Sequence, residues 1–481
     1  SQRIDINHGY TFTLPRSLIQ YNNWKGPVWV VTKNAGADVV AGFIINGTYS
    51  GGYTVGSYLD STFNSSLNTG FSLTSPSLWT NAYTTPSTIN SGVGQGASLY
   101  NTFAGDPVNM VTGNVYHNER DISIKGRGGM PIVFERSYNS RDNIDSTGPL
   151  GFGWTHSFNQ YLLFKDDNAD GIANSPDADS VTSSATWVDG TGSQKFIQVA
   201  GSTFTPPKGF FFQTTRNADG TYSIREKNGM TYTFEGVAGT INQKAKLLGI
   251  MDRKGNTLTL GYLGNNLRTV TDGLGRALTF SYDGNNHITD ITDWTGRHYQ
   301  YNVDANGNLT SFKNPLAVAG KQNPVVYDYY NSADGQNLNH AMKRYTLPRG
   351  NGMTFEYYMN GKAFRHYNDL GETNTFTYND FRRETVSINE RGYTRHFFFD
   401  ENGNPLKIIA ENGSITEYTY DSVNPFNRLT KRDAMGYVTS YQYDGNGNVA
   451  QIKNPSTNTI EYSYFNAFSQ PGKVKDARGN Y

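Results

Sequence analysis

The 481-residue chain contains no cysteine. This excludes disulfides, thiolate metal sites and a cysteine nucleophile, and it fits weakly with a bacterial polypeptide exported in an unfolded state. No apolar run reaches about 18 residues, so no membrane-spanning helix is expected. Neither sign of charge is in excess: Lys+Arg and Asp+Glu both number 41, and the pI is near 7.1. Without a basic field, no nucleic-acid partner is expected. The eight histidines (His8, His117, His156, His287, His298, His340, His366, His396) form no His-x-His or His-x3-His pair, so no zinc site is expected. There is no Gly-x-Ser-x-Gly elbow, phosphate loop or dinucleotide fingerprint. No signal peptide is read at the start, and Ser1 fits a processed N-terminus or a cut boundary.

Tyrosine and glycine are abundant, at 33 and 52 residues, and much of the tyrosine is periodic. Tyrosines recur in equivalent positions at Tyr262, Tyr282, Tyr301, Tyr329, Tyr357, Tyr378, Tyr420, Tyr443 and Tyr464, with Phe399 filling one slot. From Tyr357 the intervals are 21, 21, 21, 23 and 21 residues. A fixed period of this size marks a repeat architecture, and 21 is too short for propeller blades. The clearest copy is Thr439-Ser440-Tyr441-Gln442-Tyr443-Asp444-Gly445-Asn446-Gly447-Asn448-Val449. Tyr-x-Tyr places both rings on one face of a strand. Asn446-Gly447 then reads as a tight hairpin turn with two positive-φ residues. A second strand (Val449 to Lys453) and a second turn complete the unit. One hairpin is marginal alone, so neighbours must pair to bury the aromatic face. About ten units imply roughly twenty strands, and an open twisted sheet that long must curl. The expected fold is all-β: a long curling antiparallel sheet, a partial shell or spiral.

Four regions are expected. Residues 1–104 are β-rich in a Ser/Thr/Gly/Asn background, with strands around Trp29-Val30-Val31 and from Val39 to Ile45, joined by a turn at Asn34-Ala35-Gly36. Residues 46–104 carry one charged side chain, Asp60, and many aromatics, which suggests an extended segment anchored by its rings. Residues 105–164 form a second block. Residues 165–250 read as an irregular β region with an acidic loop, and 251–481 as the repeats. The array breaks off inside a repeat at Gly479-Asn480-Tyr481. A raw sheet edge is hazardous, which predicts more protein beyond it, in a longer chain or a capping partner.

The phrases of the second block resemble the Rhs/YD-repeat family, bacterial relatives of the teneurin shell. Gly105-Asp106-Pro107-Val108-Asn109-Met110-Val111-Thr112-Gly113-Asn114-Val115 is similar to the phrase that opens the Rhs core. Phe134-Glu135-Arg136-Ser137-Tyr138-Asn139-Ser140 and Gly148-Pro149-Leu150-Gly151-Phe152-Gly153-Trp154-Thr155-His156-Ser157 resemble the two phrases that follow it. With the repeats, the resemblance covers residues 105–481 and leaves out 1–104. It implies a large sheet spiralling into a hollow shell, which in many members encloses a C-terminal toxin domain. Such members end the shell with a self-cleaving Asp-Pro-x-Gly-type segment, and none stands in this sequence.

One loop carries metal chemistry. Asp166-Asp167-Asn168-Ala169-Asp170-Gly171-Ile172-Ala173-Asn174-Ser175-Pro176-Asp177 reads as a twelve-residue calcium loop. Asp166, Asn168, Asp170, Asn174 and Asp177 offer side-chain oxygens, Ile172 its carbonyl, and Gly171 the sharp turn. Position 12 is Asp, as in dockerin-type loops, so a structural calcium ion that pins a long loop is expected. Asp283, Asp400, Asp421 and Asp444 could be proposed as acid/base pairs. Their repetition points instead to turn residues that bond backbone amides.

No catalytic constellation emerges, and the chain is not expected to be an enzyme. The expected function is a secreted or surface-displayed shell that encapsulates, delivers or presents a downstream domain. Two alternatives come from the aromatics: a carbohydrate-binding adhesin, and a subunit of an extracellular fibre or homopolymer built through residues 46–104. Expected partners are a downstream C-terminal domain or a cap, glycans, or other copies of the chain. The expected location is extracellular or the bacterial surface.

Overall fold

The computed structural model describes residues 102–141, 148–165, 182–200, 202–236 and 244–481, and the strands Ile4–Asn7, Pro27–Asn34 and Ala37–Ile44. The chain divides into two compact units, Ser1–Thr84 and Thr85–Tyr481. In the first, Pro27–Asn34 pairs antiparallel with Ala37–Ile44 across a two-residue link and parallel with Ile4–Asn7. Most of the aromatic segment 46–104 lies outside the described residues.

The second unit is dominated by one antiparallel sheet. Twenty strands follow one another from Thr257–Leu263 to Lys473–Lys475, each hydrogen-bonded to the next. This is the curling sheet expected from the period. Residues 165–250 depart from the irregular region expected. Strand Tyr161–Lys165 pairs with Thr182–Val188 on one side and with Lys244–Lys246 on the other. The eight strands from 161 to 251 therefore close on themselves before the repeats begin. The closure is possible because Lys244–Met251 is long enough to share one edge. Lys244–Lys246 takes the opening strand, and Gly249–Met251 takes the first repeat strand, 257–259.

The hairpin turns also differ from the two-residue type expected. Most repeat turns have five residues, as at Asp272–Arg276, whereas Leu263–Asn266 keeps a two-residue link and Asp421–Asn427 spans seven. Asp272 N donates to Arg276 O (3.0 Å), Gly275 N donates to Asp272 O (2.9 Å), and Asp272 Oδ1 accepts from Leu274 N and Arg276 N (2.9 and 3.0 Å). Asp444–Asn448 has the same bonds. This is a type I turn closed by one left-handed residue. Only the fourth position has positive φ: Gly447 does, and Asn446 does not. The fourth position stays left-handed even where it is not glycine, as at Asn286 (φ 67°) and Thr457 (φ 67°), at a cost of about 1–2 kcal/mol. The acidic side chain at position one makes the difference, because it caps two amides that a two-residue turn does not have. Asp283 and Asp400 accept backbone amides in the same way, and Asp421, in a longer turn, accepts those of Val423 and Asn424.

The repeat tyrosines sit at a β-bulge. The register shifts immediately before Tyr262, Tyr282, Tyr329, Tyr357, Tyr420 and Tyr443. A bulge disrupts one rung, bends the strand and increases its twist. Each of these six hydroxyls donates to a backbone carbonyl, those of Leu247, Leu267, Leu309, Met342, Pro405 and Arg428, at 2.8–3.0 Å. All six acceptors stand opposite the bulge of the preceding hairpin: Leu247 faces Phe234, Leu267 faces Tyr262, Leu309 faces Val303, Met342 faces Tyr329, Pro405 faces Phe399 and Arg428 faces Tyr420. The tyrosine of one hairpin thus repairs the rung its predecessor disturbs. Tyr378 breaks the pattern. Its pairing with Thr385 shows no register shift, and its buried hydroxyl has no partner among the described residues. The next slot holds Phe399, which has no hydroxyl and no disrupted rung to serve.

Two substitutions separate these situations. Tyr443→Phe is expected to lower unfolding stability by about 1 kcal/mol, the usual net worth of such a bond. Tyr378→Phe is expected to be neutral or stabilising, because it removes a buried unsatisfied hydroxyl. Denaturant unfolding of both variants checks this, and equal losses would refute it.

Candidate functional site: a block clamped to the repeat sheet

The block that follows residue 104 builds its own three-stranded sheet. Tyr116–Ile124 pairs with Ile132–Asn139, and Ile132–Asn139 pairs with Trp154–His156. The alternating pattern of Ile132–Asn139 points Ile132, Phe134, Arg136 and Tyr138 to a buried side. That side meets the aromatic face of the repeats. Phe134 lies 5.8 Å from Phe280, Trp154 5.2 Å from Tyr327 and Tyr138 6.3 Å from Tyr329, between ring centroids.

A buried ion pair sits at the centre. Arg136 and Asp121 have side chains 0% and 2% exposed. Arg136 Nε donates to Asp121 Oδ2 (2.5 Å) and Nη2 to Oδ1 (3.0 Å). Tyr301 OH donates to the same carboxylate (2.8 Å), and Arg136 Nη1 reaches Tyr327 OH (3.2 Å). The guanidinium lies 4.7–5.7 Å from the rings of Trp154, Tyr301, Phe312 and Tyr327. Burial opposes the Arg136 charge, but Asp121 and the Tyr327 oxygen outweigh it, so its pKa is pushed up and it stays protonated. Breaking such a pair from one side typically costs about 3–5 kcal/mol, and a desolvated cation–π contact contributes about 2 kcal/mol. Tyr301 therefore spends its hydroxyl on the block instead of a neighbouring repeat.

The three phrases act as fasteners. In the first, Asp106 N donates to His366 Nε2 (2.9 Å), and Tyr345 OH donates to the Asp106 carboxylate. A Cβ on Gly105 would lie 2.0 Å from the His366 ring, so a side chain there would displace the contact. In the second, Tyr138 OH donates to His340 O (3.1 Å) and accepts from Met342 N (2.6 Å). In the third, Phe152 N donates to Gly307 O (2.9 Å), Ile288 N donates to Pro149 O (2.7 Å), and Trp154 Nε1 donates to Tyr329 OH (2.8 Å). Gly151 (φ 90°) passes so close that a Cβ would sit 2.5 Å from Gly307 O. His156 is buried against Phe134 and accepts from Phe158 N through Nδ1 (3.3 Å).

The expected calcium ligands Asp166, Asn168, Asp170, Ile172, Asn174 and Asp177 lie outside the described residues. Residues 166–181 connect two strands that pair side by side, with Lys165 opposite Ser184. Among the described residues, no group of three or more His, Asp or Glu side chains could hold a metal ion, and no helix is long and apolar enough to cross a membrane. Asp121 belongs to none of the three phrases; the one sequence signal for it is a carboxylate in a strand of alternating apolar residues.

The buried histidines give the fold an acid limit. Burial lowers His156 to about 3 and His366 to about 4, against about 6.5 when unfolded. The unfolded chain binds protons first, so their contribution is complete above about pH 6.5 and is lost as the pH falls towards 4. Between pH 7 and pH 5 each is expected to remove about 2 kcal/mol of stability. His366→Gln, which keeps an acceptor for Asp106 N, should flatten this slope in denaturant midpoints measured over that range. An unchanged slope would refute the assignment.

Residues 105–194 match a domain of unknown function (DUF6531), and residues 263–298 and 423–459 each match the RHS Repeat. Over 351 residues the chain is 28% identical to the tRNA nuclease WapA of Bacillus subtilis (strain 168) and to a tRNA(Glu)-specific nuclease WapA of Bacillus subtilis subsp. natto. The alignment takes in 72% of this chain but only 12% of those relatives. Among solved structures, a TcdB2–TccC3 crystal structure is 10% identical, covering 94% of this chain and 27% of that one at a TM-score of 0.26. A Photorhabdus luminescens Tc holotoxin pore is 9% identical, covering 72% and 22% at 0.24. Superposition this partial leaves the assignment to the sequence matches and the repeat geometry. On those grounds the chain carries RHS repeats behind an opening block that matches DUF6531, and its bulged tyrosine hairpins are similar to those of Rhs/YD-repeat proteins.

Proposed function

We propose that this chain is part of the wall of a toxin-associated Rhs shell, and that its last repeats receive a downstream domain or a capping partner. One observation carries the reading. The aromatic face of the sheet is buried up to Phe426, and no apolar side chain beyond it is buried among the described residues. On the same face Tyr418, Tyr441 and Tyr443 are half-buried, and Ile460 and Val474 are 37% and 43% exposed. The block of residues 105–158 covers the first part; in this proposal the partner covers the rest. WapA, named as a nuclease, is a much longer protein, and its alignment to these repeats supports a role as a carrier of a separate activity. The chain itself is proposed to be structural, without catalysis, and to work outside the cell or at its surface.

The adhesin alternative finds less support in the repeats. Six of the repeat tyrosines commit their hydroxyl protons to backbone carbonyls of the sheet and not to a ligand. The fibre alternative rests on residues 46–104, nearly all outside the described residues.

Hydrogen exchange compares the 481-residue chain with the full native polypeptide. Strands from Ile415 to Ser463 are expected to exchange at least tenfold more slowly in the native protein. Equal rates would remove the covering partner from the proposal.

A structural calcium ion at residues 166–177 is a second part of the proposal. It would tie the loop between Tyr161–Lys165 and Thr182–Val188, the first of which also closes the ring by pairing with Lys244–Lys246. Titration calorimetry is expected to show calcium binding that the double substitution Asp166→Ala, Asp170→Ala abolishes. Unchanged affinity would reject the site.

A further inference from the structure

The sheet coils far enough to touch itself. The hairpin turn Glu226–Met230 wedges between two turns of the late repeats. On one side Lys227 Nζ donates to Gly447 O (2.6 Å), 220 residues away. On the other, Arg225 Nη2 donates to Ala467 O (2.8 Å), 242 residues away, and its guanidinium lies 5.1 Å from the Phe468 ring centroid. Beside these contacts a cavity of about 340 Å³ opens between residues 206–213 and the turns at 444–448 and 466–470. Small-molecule sites typically span about 300–1,000 Å³.

We propose that this seam cavity binds a neutral carbohydrate unit. Phe211 and Phe465 line the cavity and supply apolar surface for the C–H side of a sugar, with Lys227 Nζ 5.3 Å from the Phe211 ring centroid. Gln213, Glu226, Asn446 and Asn448 supply planar amide and carboxylate groups able to pair with neighbouring hydroxyls. One of these is waiting for a donor: Asn448 is 5% exposed, its Nδ2 is held by Asp444 Oδ2 (2.8 Å), and its buried Oδ1 has no partner among the described residues. A buried acceptor left unpaired costs about 1–3 kcal/mol, which a ligand hydroxyl would recover once the cavity wall shifts to admit it, since water does not reach this atom. The chemistry disfavours an anion. Lys227 and Arg225 already donate to carbonyls, and Glu226 lies between them in sequence and lines the same cavity. The site uses the seam, not the repeat tyrosines, and does not depend on the shell reading.

Saturation-transfer NMR with maltose, lactose and di-N-acetylchitobiose tests the proposal. At least one sugar should receive saturation, with a dissociation constant on the order of 1 mM. Asn448→Leu should abolish the signal. Asn446→Trp should do so too: it fills the cavity mouth while keeping the Asp444 turn bonds, so it decides the matter if Asn448→Leu does not fold. Transfer to none of the three sugars, or transfer that survives Asn446→Trp, would overturn the proposal.

Discussion

Everything in the repeat sheet follows from a β-bulge placed at the tyrosine of nearly every hairpin. The bulge removes one rung, and the loss recurs about every 21 residues. Left unrepaired, a row of disturbed backbone groups would run across the sheet, each carrying the penalty of a lost hydrogen bond. The tyrosine suits the repair because its ring is long enough to bury and its hydroxyl still reaches a carbonyl at the far end. Curvature and aromatic content are thus one device. The bend comes from the bulge, and the residue that tolerates the bend also fills the space beneath it.

The opening block uses the same face differently. Where it lies against the sheet, two tyrosines give up the standard bond: Tyr301 serves Asp121, and Tyr378 is left without a partner among the described residues. A buried charge pair is a poor source of net stability compared with apolar packing. It is, however, intolerant of misplacement: both charges belong to the block, and a shift of the block by one residue would carry the buried pair away from Tyr301 and Tyr327, the two repeat hydroxyls that complete its hydrogen bonds. The pair therefore reads as a register key that fixes which repeats the block occupies.

Much of this was legible in the chain. The tyrosine period gave the twenty-strand sheet, and the aspartates after the repeat aromatics read correctly as turn residues. The three phrases marked the block. Other features had no local signal. Ring closure depends on Tyr161–Leu163 meeting Lys244–Lys246, a pairing that no short window contains. The Asn446-Gly447 dipeptide suggested a two-residue turn, because that rule looks at the pair and not at Asp444 and Asn448 on either side. Asp121 is invisible as a partner until the fold brings Arg136 beside it. The seam depends on a count of repeats that sequence shows only as a number, not as a contact.

That count has an evolutionary consequence. The 226–230 turn is seated in the notch between the turns at 444–448 and 466–470, like a tooth between two teeth of a gear. The intervening 220 residues are about ten repeats of 21. Gain or loss of a half-unit within that stretch would set tooth against tooth, whereas a whole unit would advance the gear by one notch. Lineages of this protein should therefore vary in length by entire hairpins between Thr257 and Asp444, and accept odd-sized insertions only at turn tips that face no neighbour.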